Sequence, residues 1–210
     1  LCDICLMAIF PGSAIPSAAE DYTIDNSCRF DASAYLTRAQ SNGDQDKWTW
    51  SGWAKRSGLG AAQCLFASTN TTTTSFDFKF TSSDTIEVTN YLGGGYGAQL
   101  VTDRVFRDVS AWYHVVVVYD SGNATEAHRL RIYVNGTEES SFSTTNYPSS
   151  DENSDINVSG SNIDIGRQSN GAEFFDGYMA EMFLVDGQAL APSVFGELSS
   201  TTNQWIPLDL

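Results

Sequence analysis

The feature of this sequence that most constrains its fold is a series of short, strand-like segments separated by turn signals. At residues 76–80 (FDFKF), three phenylalanines alternate with an aspartate and a lysine, as expected for a strand with one buried face. Residues 112–120 (WYHVVVVYD) are almost continuously apolar, which predicts a central strand covered on both faces. Asn135-Gly136 follows another apolar segment and is typical of a tight hairpin turn.

About a dozen such segments predict an all-β fold, a two-sheet antiparallel jelly-roll sandwich. One short C-terminal helix is expected at Ala189–Leu198, with Pro192 near its start. Residues 1–23 are predicted to form an extended N-terminal arm, because Pro11–Thr23 is rich in Pro, Ala and Ser without an apolar period. Residues 24–210 then form the jelly-roll domain. The residues predicted to be buried in its core, between or against the sheets, are Trp50, Phe78, Val115, Val117, Ile132 and Phe183.

Several local features follow from the same patterns. A bulge is expected near Gly52, where the alternation of tryptophans changes phase. Gly93–Gly95 are expected to open a mobile loop. Cys28 is expected to be a buried free thiol. Thr137–Phe142 is predicted as the return strand of a hairpin, and Asn146–Asn162, being polar and acidic, as a long surface loop.

The formal net charge of −15 disfavours nucleic acid and anionic membranes as partners. It is compatible either with solubility alone or with loop carboxylates that hold a hard cation such as calcium. Cys2 and Cys5 form a C-x-x-C without a second close pair of ligands, so a structural zinc site is not expected. Met7-Ala8 resembles an ordinary protein start, which gives the hypothesis that residues 1–6 lie outside the native protein.

Five motifs occur in an order that is more specific than any one of them alone. They are Ser27–Phe30 with Tyr35-Leu36 (SCRF…YL), Trp48–Arg56 (WTWSGWAKR), Trp112–Asp120 (WYHVVVVYD), Arg131–Thr137 (RIYVNGT) and Phe175–Leu190 (FDGYMAEMFLVDGQAL). In this order the chain resembles the concanavalin A-like lectin/glucanase superfamily, in its laminin G-like jelly-roll branch. The resemblance spans about Ser27 to Leu190 and implies the jelly-roll fold.

Two further stretches narrow the resemblance. Residues 185–192 (VDGQALAP) and 100–108 (LVTDRVFRD) are similar to segments of proteins encoded by marine bacteriophages. Such domains occur there in virion structural proteins, including fibres and surface appendages. The resemblance therefore implies a virion component.

Catalysis is not expected from these residues. Retaining glycosidases need two carboxylates about 5–5.5 Å apart, and the glucanases of the superfamily carry them as E-x-D-x-E or E-x-D-x-x-E on one strand. This chain has no such string. Asp77 and Glu87 are single carboxylates on separate strands and are expected to be solvated. His114 is expected to be a satisfied structural histidine.

Two kinds of ligand site are predicted in the loops. Two acidic turn regions are candidates for a single calcium ion, with simple solvation as the alternative: Asp120, Asn123 and Glu126, and Asp151, Glu152 and Asp155. Aromatic side chains beside amides are candidates for stacking on sugars, with rim packing as the alternative: Asn90, Tyr91, Tyr96, Asn146 and Tyr147.

Three functions are compatible with these features. The first is a non-catalytic virion module that binds other virion proteins through its arm, forms a homo-oligomer and contacts host-surface glycans. The arm residues expected to insert into a neighbour are Ile9, Phe10, Ile15 and Tyr22, and the Gly93–Tyr96 loop is expected to face outward. The second is a secreted soluble lectin, and the third, which the carboxylate pattern disfavours, is a glycoside hydrolase.

Overall fold

The computed structural model describes residues 22–71, 73–168 and 170–210, and these contain fifteen strands and two three-residue 3₁₀ turns. The 3₁₀ turns are Glu126–His128 and Pro192–Val194. The strands are β1 Cys28–Asp31, β2 Leu36–Ala39, β3 Lys47–Arg56, β4 Gln63–Thr71, β5 Thr74–Phe80, β6 Thr85–Leu92, β7 Gly95–Val105, β8 Tyr113–Asp120, β9 Leu130–Val134, β10 Thr137–Glu138, β11 Phe142–Asn146, β12 Asn162–Ile165, β13 Asp176–Asp186, β14 Gly196–Leu198 and β15 Trp205–Pro207.

The strands form two large antiparallel sheets and one small one, which confirms the predicted jelly-roll sandwich. The order in the six-stranded sheet is β1-β13-β3-β8-β9-β10. The order in the seven-stranded sheet is β11-β7-β6-β5-β4-β12-β2, and β14 pairs with β15. Both large sheets contain neighbours that are distant in sequence, so their registers are fixed by burial as well as by hairpin turns.

The main core lies between the two large sheets and is rich in aromatic rings. The Trp48 ring stacks on Tyr119 with centroids 5.5 Å apart, and Trp50 meets Phe78 edge-on at 4.5 Å. Burying each large side chain stabilises the fold by roughly 1.5–3 kcal/mol. Of the six predicted core residues, five are fully buried between the sheets: Trp50, Phe78, Val115, Val117 and Ile132.

The outer face of the six-stranded sheet carries a second apolar cluster, which we call the covered face. Its buried members are Val116, Val118, Tyr133 and Phe195, with Phe183, Val185, Ala189 and Leu190 packed against them. The segment 187–210 lies over this face, so β8 is buried on both sides, as its apolar run predicts. Phe183 belongs here, so it packs against the six-stranded sheet and not between the two sheets, and it is half-buried where full burial was expected.

The position of Phe183 follows from a bulge in β13. Ala180 pairs with Trp53 and Phe183 with Ser51, so Glu181 and Met182 together face Gly52. The extra residue reverses the alternation of β13 beyond this point. The irregularity lies on the partner strand, because Gly52 itself sits in regular register with Val115 of β8.

The predicted C-terminal helix at Ala189–Leu198 is not supported. Only Pro192–Val194 forms a 3₁₀ turn, and β14 follows directly and pairs with β15. Gly196 disfavours a helix, and the pairing satisfies its backbone instead. Val194 and Leu198 are exposed in this conformation, whereas Phe195 is buried against the sheet.

Two hairpins turn on residues with positive φ. Asn135 and Gly136 have φ of 50° and 76° and join β9 to β10, which confirms the predicted turn. Gly93 and Gly94, with φ of 58° and 88°, join β6 to β7 in the same way. The expected mobile loop at Gly93–Gly95 is therefore a two-residue hairpin turn, and β7 begins at Gly95.

Other local predictions are corrected by long-range packing. Cys28 is exposed, because β1 is a four-residue edge strand of which only Phe30 is buried. The return strand predicted at Thr137–Phe142 ends at Glu138, and Phe142 begins β11 in the other sheet. The polar segment 146–162 is not wholly at the surface, since Ile156 reaches the main core.

Most of the predicted arm, residues 1–21, lies outside the described residues, including Ile9, Phe10, Ile15, Cys2 and Cys5. At its end the Tyr22 hydroxyl donates a hydrogen bond of 2.6 Å to Glu181 Oε1. Tyr22 thus contacts β13 of its own sandwich. No helical segment in the described part of the chain has the length and hydropathy needed to span a bilayer.

Candidate functional site

The outer face of the seven-stranded sheet, which we call the open face, is formed where β7, β6, β5 and β4 lie side by side. In β5 and β6, the phenylalanines and aliphatic residues enter the core, so that the intervening side chains share the outer face. Register pairs Lys79 with Glu87, Asp77 with Thr89, and Thr89 with Gln99. Strand alternation therefore collects polar side chains from three strands on one surface.

A charged cluster occupies the middle of the open face. The Lys79 ammonium lies 2.9 Å from a Glu173 carboxylate oxygen, 3.7 Å from Asp77 and 3.8 Å from Glu87. Glu173 comes from the loop between β12 and β13, whose Gln168 side chain also donates to Asp77 Oδ1 at 3.4 Å. The cluster of Asp77, Lys79, Glu87 and Glu173 thus contains three carboxylates and one ammonium group.

Burial sets the protonation behaviour of this cluster. It raises the pKa of Asp77 to about 6, against the opposing effect of the Lys79 charge. Burial alone would lower the pKa of Lys79, but Asp77, Glu173 and Glu87 outweigh it and raise that pKa above its ordinary value. Lys79 therefore stays charged at neutral pH, while Asp77 changes its charge within the mildly acidic range.

An aromatic pair lies at the end of the open face, beside the Gly93-Gly94 turn. The rings of Tyr91 and Tyr96 meet edge-on with centroids 5.4 Å apart, and the Tyr91 hydroxyl donates to the Gly94 carbonyl at 2.8 Å. Tyr96 is 57% exposed. Asn146 donates its amide to the Tyr96 and Gly97 carbonyls, which fixes the backbone beneath the exposed ring.

Two of the predicted sugar-contacting residues lie elsewhere. Asn90 is fully buried, and its amide donates to Tyr119 Oη, Glu152 Oε1 and the Asn153 carbonyl at 3.2–3.3 Å. Neighbouring residues of a strand point to opposite faces, so Asn90 cannot share the surface of Tyr91. Tyr147 packs against the main core and lines a separate cavity of about 220 Å³ beside Phe142.

The predicted calcium ligands are not arranged as a metal site. In the first group, Asp120 accepts from Asn123 at 3.2 Å and forms an ion pair with Lys47 at 3.3 Å, while Glu126 lies in an exposed 3₁₀ turn. Asn123 Oδ1 accepts from the Thr125 backbone. Within the described ranges, no group of three or more His, Cys, Asp or Glu side chains is placed to hold a metal ion.

The second predicted group of calcium ligands, Asp151, Glu152 and Asp155, is also not arranged as a metal site. Asp151 is exposed at the surface, and Glu152 turns inward to Asn90 and the Ser149 backbone. Asp155 is buried against Ser68, 3.2 Å from its hydroxyl. The oxygens that would coordinate calcium point in different directions and accept hydrogen bonds from the protein, so the residues present do not fit that ion.

His114 lies in the covered face and adopts a structural role. Trp205 Nε1 donates to His114 Nδ1 at 2.9 Å, and Ser51 Oγ lies 2.9 Å from His114 Nε2. An indole N–H can only donate, so the ring proton is on Nε2 and is directed at Ser51. In this tautomer His114 cannot accept the serine proton, and burial lowers the pKa of His114 to about 4.

Several residues of the open face were not identified from the sequence. The sequence shows Lys79 only as a residue that alternates with the phenylalanines of β5, and Glu173, Gln168 and Gln99 belong to no motif. Gln99 donates to Glu87 Oε1 at 2.6 Å. The alternation of β5 is the one sequence signal that places Asp77 and Lys79 together, and nothing local indicates that Glu173 joins them.

Comparisons with known proteins agree with the fold. A protein-family model described as the concanavalin A-like lectin/glucanases superfamily matches residues 30–194. No curated protein sequence matches the chain.

Among solved structures, this chain is similar to domain 4 of AbnA, an extracellular GH43 arabinanase from Geobacillus stearothermophilus in complex with arabinotriose. The TM-score is 0.58 and the sequence identity is 16%, and the match covers 82% of this chain and 76% of the arabinanase domain. The CBM40 domain of the Ruminococcus gnavus IT-sialidase, bound to α2,3 sialyllactose, is similar with a TM-score of 0.53, 14% identity and coverage of 78% and 96%. Tailspike protein 2 of Escherichia coli O157:H7 bacteriophage CAB120 is similar with a TM-score of 0.53, 13% identity and coverage of 77% of this chain but 23% of the tailspike. At these identities the similarity establishes the fold.

Proposed function

Because this chain belongs to the concanavalin A-like lectin/glucanase superfamily, we propose that it is a non-catalytic glycan-binding module displayed on a virion, with the open face as its binding surface. The observation that carries the proposal is the Tyr91–Tyr96 pair, in which Tyr96 is exposed and Tyr91 half-buried, beside a row of polar side chains. Sugars present apolar C–H faces and polar hydroxyl edges. An aromatic ring next to convergent hydrogen-bonding groups is complementary to both.

The charges of the open face limit which glycans it would bind. The cluster carries three carboxylates against the single Lys79 ammonium, and Asp77 is ionised at neutral pH because its pKa is about 6. An anionic sugar placed beside these groups would be repelled. We therefore expect neutral glycans to bind, with hydroxyls donating to Glu87 and accepting from Gln99.

The same cluster supports a second candidate function, glycoside hydrolysis, because Asp77 and Glu87 project from one surface and Asp77 has a raised pKa. A raised pKa is typical of a general acid. Against this, the Lys79 ammonium lies between the two carboxylates, 3.7 Å from one and 3.8 Å from the other. It occupies the space where a retaining enzyme holds the scissile bond, so we favour binding without cleavage.

Display on a virion is supported by the fold of the tailspike neighbour and by the sequence resemblance to phage proteins. In this proposal, residues 1–21 contact other virion proteins and the domain works as a homo-oligomer. The proposal predicts capsid or tail genes beside the coding gene. A neighbourhood of secreted hydrolases and transporters would instead favour the secreted lectin.

Glycan binding is tested on an array of neutral and sialylated oligosaccharides with the full chain. We expect Tyr96→Ala to weaken binding to the best neutral glycan at least tenfold. Tyr178→Ala is the matched control, because this tyrosine is also exposed but lies on β13 in the other sheet. Equal losses in both variants would argue against the open face, and release of new reducing ends from a bound glycan would establish the hydrolase instead.

A further inference from the structure

A cavity of about 440 Å³ lies beside the covered face, away from the open face. It is bounded on one side by residues 22–27 and on the other by residues 202–207 of the C-terminal segment. Four aromatic side chains line it: Tyr22, Trp53, Trp112 and Trp205. The glycan-binding proposal does not use this cavity.

Two of the indoles are held in place by His114. Trp53 stacks on the His114 ring with centroids 4.8 Å apart, and Trp205 is tied to the same ring by its 2.9 Å hydrogen bond. A side chain on Gly136 or Gly196 would overlap the Trp205 ring. The aromatic wall is therefore preorganised, and a ligand would not have to order it.

The charged groups found at the cavity are carboxylates, one in its lining and one hydrogen-bonded to a lining residue. Asp25 is one of its lining residues, and Glu181 accepts the hydrogen bond of Tyr22. This hydrogen bond, with smaller effects of burial and of the nearby Glu181, Asp209 and Asp25 charges, raises the pKa of Tyr22 to about 12. None of the described residues that line the cavity is basic, so its electrostatic potential favours a cation.

From the four aromatic side chains of the lining and these two carboxylates, we propose that this cavity binds a small organic cation of the quaternary ammonium class. Such a cation has an apolar surface that suits indole faces and a delocalised positive charge that the faces of aromatic rings attract. An anion is repelled by the carboxylates. A neutral apolar group of the same shape would gain the wall contacts but not the electrostatic attraction.

The test is calorimetric titration of the full chain with choline chloride at constant ionic strength, with tryptophan fluorescence as a second readout. The comparison ligand is 3,3-dimethyl-1-butanol, which has the shape of choline without its charge. We expect choline to bind at least tenfold more tightly than the alcohol. Equal affinity would show an apolar pocket for neutral groups and would overturn the proposal.

Two variants locate the site. Trp112→Leu should weaken choline binding at least fivefold, and Asp25→Asn at least threefold. Asp103→Asn, an exposed carboxylate on β7, is the matched control and should change nothing. Asp25 is also exposed, so its variant remains informative if Trp112→Leu fails to fold. Choline binding that is unchanged by Asp25→Asn would place the cation elsewhere and refute the assignment.

Discussion

The two outer faces of the sandwich differ in what their strands place on them. On the covered face, β8 contributes Val116 and Val118, and the C-terminal segment packs Phe195 over them. On the open face, β5 contributes Asp77 and Lys79, and the β12–β13 loop adds Glu173. An apolar outer face is stable in water only when another segment packs over it, because large exposed apolar patches are unfavourable. A polar outer face can remain exposed to solvent or to a ligand.

The difference also appears in the electrostatics of the two faces. His114 is held neutral in the covered face by burial, with both ring nitrogens hydrogen-bonded. Asp77 in the open face is buried yet ionised at neutral pH, at a cost that its partners offset only in part. The titratable group of the covered face is thus neutral and hydrogen-bonded, while the open face carries a destabilising charge of the kind found at binding sites.

The largest expected effect is on the covered face. Trp205→Ala should remove the indole that contacts His114, Gly136 and Gly196 and lower the free energy of unfolding by about 3–5 kcal/mol. Tyr91→Ala on the open face should cost less than about 1 kcal/mol. Urea denaturation followed by circular dichroism measures both. Similar losses would mean that the C-terminal segment contributes no more than the open face does.

The second largest expected effect is the dependence of stability on pH that His114 causes. The pKa of His114 is about 4 in the folded protein and about 6.5 in an unfolded chain, so the unfolded state binds more protons between these values. The contribution of His114 to the free energy of unfolding is fully present above pH 6.5. It decreases by about 3 kcal/mol as the pH falls to 4. Asp77 acts in the opposite direction between about pH 4 and pH 6, so the measurement is made on Asp77→Asn. A flat profile in that variant would contradict the account of His114.

Asp77→Asn should itself stabilise the protein above pH 6. The folded-state pKa of Asp77 is about 6 and its ordinary value is 3.8, so its contribution is favourable below about pH 4 and is lost as pH rises to 6. Removing the charge should raise the free energy of unfolding at pH 8 by about 1–3 kcal/mol. Asp103→Asn, an exposed carboxylate on β7, is the control and should change it by less than about 0.5 kcal/mol. If the two variants change the free energy of unfolding by the same amount, the ionised Asp77 side chain does not destabilise the folded protein.

Much of the fold could be predicted because its signals are local. The alternation of β5 and the valine run of β8 determine which faces are buried, and Asn135-Gly136 determines a turn. The face on which Phe183 packs could not be predicted, because its phase depends on the bulge at Glu181 and Met182, which no local pattern reveals. The C-terminal helix failed because pairing between β14 and β15 is a non-local interaction that outweighs weak helix propensity.

The candidate site was predictable only in part, for a similar reason. Tyr91 and Tyr96 were identified from their position beside glycines, and the structure places them together. Asn90 could have been excluded by the two-residue period of a strand, since it adjoins Tyr91. Glu173 reaches Lys79 across 94 positions of sequence, and only the folded chain brings them together.

Tyr96→Ala on the open face is expected to have the smallest effect on stability and the largest effect on glycan binding. Tyr96 is 57% exposed and packs edge-on against Tyr91, so Tyr96→Ala removes little buried area and should change the free energy of unfolding by less than about 0.5 kcal/mol. If the open face binds glycans, the same variant loses at least tenfold in affinity. Differential scanning calorimetry of the variant beside Tyr178→Ala measures the stability. A loss of several kcal/mol in Tyr96→Ala would show that this tyrosine holds the β6–β7 hairpin, and the open face would then resemble the covered one in serving the fold.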